Sequence, residues 1–88
     1  MKKSIWLLAK IHWLMMPEAK KNEITSAEKG RKTLMKNLAD KAGVTVAVVK
    51  KKLLDTEQKV AKRIDKEKES SKYWATVIFV LKKRLKVA

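Results

Sequence analysis

The chain of 88 residues has no cysteine, one histidine, one proline and two glycines, and each scarcity removes a class of answer. Without cysteine there is no disulfide framework and no thiolate metal site, and a lone His12 can build neither a zinc site nor a His-based dyad. No metal or other cofactor is therefore expected. Gly30 and Gly43 stand far apart, so no Gly-rich loop is available to cradle a phosphate. The carboxylates are scattered, and no acid or nucleophile is patterned around His12, which reads as a polar tip at a helix margin. Neither an enzyme nor a small-molecule substrate is expected.

Acidic residues are also scarce. Nine Asp and Glu stand against 23 Lys and Arg, a net charge of +14 that repels itself in a compact chain and attracts any polyanion. Only three of those cations are arginine (Arg31, Arg63, Arg84). Lysine is a hydrated point charge without the planar fork that pairs with a guanine edge or a phosphate, so most of this charge reads as non-specific attraction. With 45% hydrophobic residues the chain is too apolar for intrinsic disorder. At this length it forms one small domain over residues 1–88 whose core leaves little stability to spare.

No apolar run is long enough to cross a membrane. Ile5 to Met16 is interrupted by Lys10 and His12, and as a helix it reaches roughly 18 Å against about 30 Å of bilayer hydrocarbon. Its outline is that of a signal peptide, but Pro17-Glu18-Ala19-Lys20 stands where a small-x-small cleavage site belongs. The pattern predicts a helix of the folded protein over residues 4–16, capped by Ser4 and stopped at Pro17. Being apolar on nearly every side, that helix must be surrounded by others, be covered in a homodimer, or lie in a membrane interface. Trp6 and Trp13, seven apart and on one face, read as core anchors.

Glu18 to Ile24 reads as a polar connector. A helix is expected from Thr25, where Thr25 and Glu28 have capping-box spacing, with Ala27, Arg31, Leu34, Leu38 and Ala42 on one stripe. Gly30 either sits inside this helix at a cost of about 1 kcal/mol or breaks it, with a short helix from Lys32. Gly43 supplies the left-handed position that ends a helix, and Thr45 can cap the next, whose stripe is Val46, Val49 and Leu53. A helix, a three-residue turn and a second helix result, the geometry of a helix-turn-helix-like unit over residues 32–64.

Beyond Val44 there is no Gly or Pro. Val46, Val49, Leu53, Val60 and Ile64 fit one long helix supported by Asp55–Lys59 and Arg63–Glu67 pairs, or two helices with a break near Leu54 capped by Asp55-Thr56. Lys66 to Ser71 has no apolar residue and ends in two N-cap residues, a connection before the last segment. The final run is rich in β-branched and aromatic residues. A helix over residues 72–86 is still favoured, because Trp74, Val77, Ile78, Leu81 and Leu85 share a stripe and Lys82, Lys83, Arg84 and Lys86 complement a helix C-terminus. The fold expected is all-α, a small single-domain bundle of four or five helices. Residues 5–16 and 74–85 are expected to share a core with Leu34, Leu38, Val49, Leu53, Val60 and Ile64.

The residues LADKAGVTVAVVKKKL, Leu38 to Leu53, resemble the DNA-binding headpiece of lactose/galactose-type repressors, whose pattern runs approximately V-A-x-x-A-G-V-S-V-A-T-V-S-R-V-L. The resemblance implies that Thr45 contacts phosphate, that Val46 and Ala47 face base edges at the start of a recognition helix, and that Lys51 stands at a groove-facing Arg, with Lys50 beside it. Lys59 to Ile64 stands where that family has its third helix. Val48 and Lys50 replace a Thr and a Ser of the pattern, and neither a hinge helix nor an effector domain follows. The expected partner is nucleic acid, duplex DNA in the first instance, in a cytoplasmic protein. Two alternatives come from other classes. Lys clusters near Trp6, Trp13 and Trp74 give the composition of leaderless bacteriocins, which implies a secreted, membrane-active chain, and a helical protein-interaction module fits the same length.

Overall fold

The computed structural model describes the backbone of residues 3–86 and, within it, the side chains of residues 5–24 and 30–86. Over these residues the fold is all-α: α1 (Lys3–Leu14), α2 (Glu18–Lys29), α3 (Arg31–Ala42), α4 (Val46–Ala61) and α5 (Ser70–Arg84). The Cα radius of gyration is 12.3 Å, against about 12 Å for a folded chain of this length.

The β-branched, aromatic run near the C-terminus becomes helix α5 because other helices surround it. α1, α2 and α4 all pack on α5, while α3 packs on α4 and α2. Tyr73, Trp74, Ala75, Thr76, Val77, Val80 and Leu81 are buried in α5, almost all the way round. A helix apolar on every side is stable only in such a setting, and there the burial outweighs the weak helix propensity of valine. Into this spine α3 and α4 send Leu38, Val49, Leu53 and Val60, with Leu34 and Ile64 packed on the margin, as the apolar stripes predict.

Trp74 is the largest buried side chain, 2% exposed. The Tyr73 ring meets it edge-on with centroids 5.1 Å apart, and the Arg31 guanidinium lies 4.5 Å from its centroid. Its Nε1–H is buried without a hydrogen-bond partner among the described residues.

Several sequence expectations are corrected. Glu18 to Ile24 is not a connector, since α2 begins at Glu18 rather than at Thr25. Pro17 ends α1 and begins α2: its carbonyl accepts the Lys21 N–H at 3.1 Å. Glu18–Lys21 (3.6 Å) and Lys20–Glu23 (3.8 Å) pair on the exposed side, and Ile24 anchors the helix in the core. The Thr25 and Glu28 side chains lie outside those described, and Ser4 does not hold a cap position, because α1 already includes Lys3. Gly30 does break the helix, and α3 starts at the next residue.

α4 runs unbroken through Leu54 and Asp55 to Ala61. Asp55 and Thr56 cap nothing, because Arg84 at the end of α5 reaches across to both. Its Nη1 donates to Asp55 Oδ2 at 2.7 Å and to Thr56 Oγ1 at 3.0 Å, and Thr56 Oγ1 donates back to the Lys52 carbonyl at 2.7 Å. Lys59 to Ile64 forms no separate helix. It is the last turn of α4 and its exit, where the Arg63 and Ile64 N–H groups both donate to the Val60 carbonyl. The Asp55–Lys59 pair forms at 3.6 Å, whereas Arg63 lies past the helix end with its guanidinium 4.2 Å from the Trp6 centroid.

The connection to α5 is built on Asp65, whose carboxylate accepts the Glu67 and Lys68 N–H groups at 2.9 and 3.0 Å, an Asx turn. Helix α5 then starts at Ser70, so Ser70 and Ser71 lie in its first turn and Glu69 holds the cap position. α1 departs furthest from expectation. Ala9 is buried and Trp6, Trp13 and Met16 pack on the core, but Leu7, Leu8, Ile11, Leu14 and Met15 are exposed.

Two outcomes follow from the spine and its clamp. Trp74→Ala should cost about 3–5 kcal/mol and lower the thermal midpoint by about 12 °C or more, read by circular dichroism. The Arg84 hydrogen bond, aided by Lys59, holds the Asp55 carboxyl below its usual value of 3.8. A carboxyl depressed on folding stabilises the native state above its unfolded pKa and loses that effect as pH falls through the folded one. Asp55→Asn should therefore melt below the parent at neutral pH, with the difference closing in acid below pH about 4. A difference that stays constant into strong acid would mean that the clamp is not ionic.

Candidate nucleic-acid interface

The turn between α3 and α4 is held by backbone geometry and one side chain. Gly43 adopts φ 68°, ψ 33°, the left-handed region. The Val44 N–H donates to the Ala39 carbonyl at 3.0 Å and the Gly43 N–H to the Asp40 carbonyl at 3.4 Å, the two bonds of a Schellman motif. Thr45 is extended and its Oγ1 accepts the Val48 N–H at 3.3 Å, so α4 starts capped. Val49 and Leu53 then point inward and fix which face of α4 is outside.

Thr45, Val46, Ala47, Lys50 and Lys51 are all exposed, on the turn and the first two turns of α4. They divide into two rows. Ala47 and Lys51, four apart, form the outward row. Val46 and Lys50 form the row toward α3, and Lys50 lines a groove with Arg31, Lys32, Met35, Leu54 and Glu57. Lys32 thus joins the cationic surface beside Lys50, which sequence spacing alone does not indicate. The antiparallel run of α3 and α4 brings the two together, as it does Arg31 and Glu57, 4.0 Å apart.

The hairpin is net basic. Residues 31–61 contain eight Lys or Arg against three acids, Asp40, Asp55 and Glu57, and the last two lie beyond the first two turns of α4. Each guanidinium group has a partner in the fold: Arg31 lies over Trp74, exposed Arg63 over Trp6, and Arg84 on Asp55 and Thr56. Most of the surface cations are lysines.

His12 is exposed with its ring 5.1 Å from that of Phe79. Among the described residues no group of three His, Asp or Glu side chains could hold a metal ion, and no helix is long and apolar enough to cross a membrane. No protein-family model matches the chain, and comparison with curated proteins and with solved structures gave no match.

If the turn is held as described, Thr45→Ala should lose about 1 kcal/mol of stability and Thr45→Ser should restore it. A Cβ at Gly43 would meet nothing within 4 Å. Gly43→Ala should then lose about 1–2 kcal/mol through backbone strain alone. Thermal or urea unfolding measures all three, and a Thr45→Ala melt identical to the parent would show that the hydroxyl does not hold the helix start.

Proposed function

We propose that this protein is a small, basic, non-catalytic nucleic-acid-binding protein, with duplex DNA as its first target and the start of α4 as the contacting element. One observation supports the reading above the rest: Thr45, Val46, Ala47, Lys50 and Lys51 are all solvent-facing beside a capped turn, in a hairpin with eight cations against three acids. A helix start presented in this way suits a major groove, with Thr45 and Lys50 on phosphate and the outward row, Ala47 and Lys51, toward base edges. Ala47 offers a surface for a thymine methyl, and Lys51 a donor for guanine O6 and N7. The lactose/galactose-type resemblance is used here only for the turn and α4, because the continuous α4 leaves no third helix at Lys59–Ile64.

Since only three of the 23 cations are arginine, most of the affinity is assigned to lysine–phosphate attraction. About six such contacts make binding fall roughly 10³-fold between about 50 and 200 mM salt. On a preferred duplex, Lys51→Ala should cost roughly 1–3 kcal/mol and relax the preference, while Lys86→Ala should weaken all sequences alike. Equal losses from the two would reduce the hairpin to scaffold under a diffuse positive field. No binding to duplex DNA or RNA at low salt would end the proposal.

A further inference from the structure

We propose that the outer face of α1 is a docking surface for an anionic lipid bilayer, on which the protein lies with this helix parallel to the membrane plane. Leu7, Ile11 and Leu14, at spacings of four and three, form one stripe of the helix with Leu8 beside it, and Met15 follows in the turn just past the helix end, its N–H donating to the Ile11 carbonyl at 3.0 Å. Leu7, Ile11, Leu14 and Met15 are 60%, 47%, 65% and 79% exposed, and Leu8 is 50% exposed. Single exposed leucines are ordinary, but five contiguous large apolar residues are not, and such a face marks a place where something binds.

Charge decides between the occupants. α1 contains no Asp or Glu. One groove beside it, about 300 Å³, is lined by Lys20, Lys82 and Lys83 around Met16, Ile24 and Phe79. The other, about 310 Å³, is lined by Lys10, Arg63 and Lys72 around Trp6 and Ile64. Neither lining contains a carboxylate, and the acids nearest them, Glu23 on Lys20 and Glu69 on Lys72, each 3.8 Å away, leave the other cations of both grooves in excess. A second copy meeting this face would bring these cation rows against each other, in chains that each carry +14. A bilayer of anionic lipid offers what the face lacks: acyl chains for the stripe and phosphates for the rows on either side. Lysine stems can lie along the apolar surface while their ammonium groups stay at headgroup level. At roughly 18 Å the helix is too short to span, so the geometry is surface-lying, with the apolar face sunk about 5–10 Å.

Co-sedimentation with vesicles of equal phosphatidylglycerol and phosphatidylcholine, and with phosphatidylcholine alone, tests the proposal on the full chain at near-physiological salt. The parent should bind the first and not the second. Leu14→Glu and Leu54→Glu make the same chemical change at residues 65% and 55% exposed, one on the stripe and one on α4. Leu14→Glu should lower vesicle partitioning by at least about tenfold and Leu54→Glu by less than about threefold. Met15→Glu, more exposed still, repeats the arm should Leu14→Glu lose its helical circular dichroism. Equal losses at both leucines, or no binding to anionic vesicles, would overturn the proposal. So would a parent dimer that Leu14→Glu dissolves without any vesicle affinity, since the occupant would then be a second copy. Duplex-DNA affinity, measured on the same variants, should fall more for Leu54→Glu than for Leu14→Glu, so the failure of one reading leaves the other standing.

Discussion

Everything in this fold depends on surrounding α5. A segment that is apolar on all sides cannot rest on a surface, and an 88-residue chain has few helices with which to cover it. α1, α2 and α4 do so directly, and α3 closes the remaining side by packing on α4 and α2 and by laying Arg31 over Trp74. The clamp from Arg84 to Asp55 and Thr56 fixes the end of the spine against the middle of α4. The Asp55-Thr56 pair, locally suited to cap a new helix, is turned to that contact instead, and α4 runs on unbroken.

The same constraint sorts the cations. Arginine keeps its charge when partly buried and stacks on aromatic faces, which lysine does less well. Each arginine sits against Trp74, Trp6 or Asp55; Lys21, Lys66 and Lys83 also lie over rings, and the rest of the solvated charge is mostly lysine. Lysine attracts phosphate strongly and discriminates its setting weakly. A surface of this kind recognises a polyanion first by its charge density, and finer choice falls to the apolar and hydroxyl groups placed among the lysines.

How much of this was legible in the sequence varies by element. The hairpin was, because Gly43 and Thr45 perform backbone functions that few residues can, and the stripes on either side agree in phase. α5 was legible because the spacing of Trp74, Val77, Leu81 and Leu85 and the basic tail outvoted its β-branched composition. α2 was not: its residues are mostly polar and, among its described side chains, Ile24 alone anchors it in the core and gives no period, so its start depends on Pro17 and on packing. The continuity of α4 was not legible either, because Asp55-Thr56 is locally a sound cap and only Arg84, 29 residues on, overrides it. For the candidate interface, the exposure of Thr45, Val46, Ala47, Lys50 and Lys51 followed from the inward phase of Val49 and Leu53. The approach of Lys32 to Lys50 required the third dimension. For α1, the sequence stated the requirement that something cover it, and only the fold shows which half is left uncovered.

The two exposed surfaces share the α5 scaffold and little else. α1 and α4 both pack on α5, and α1 makes no substantial contact with α3 or α4 among the described residues. The molecule measures 31 × 28 × 22 Å, while the screening length at physiological salt is about 8 Å. Charge neutralised at the start of α4 is therefore largely screened from the lysines flanking α1, and the converse holds. At low ionic strength the screening length grows to about 30 Å, comparable with the whole molecule, and the +14 charge acts as one field. Under those conditions any polyanion competes for the entire surface. Near physiological salt, attraction becomes local, and what distinguishes one face from the other is the chemistry between the lysines: a capped helix start at Thr45 on one, an apolar face of leucine, isoleucine and methionine on the other.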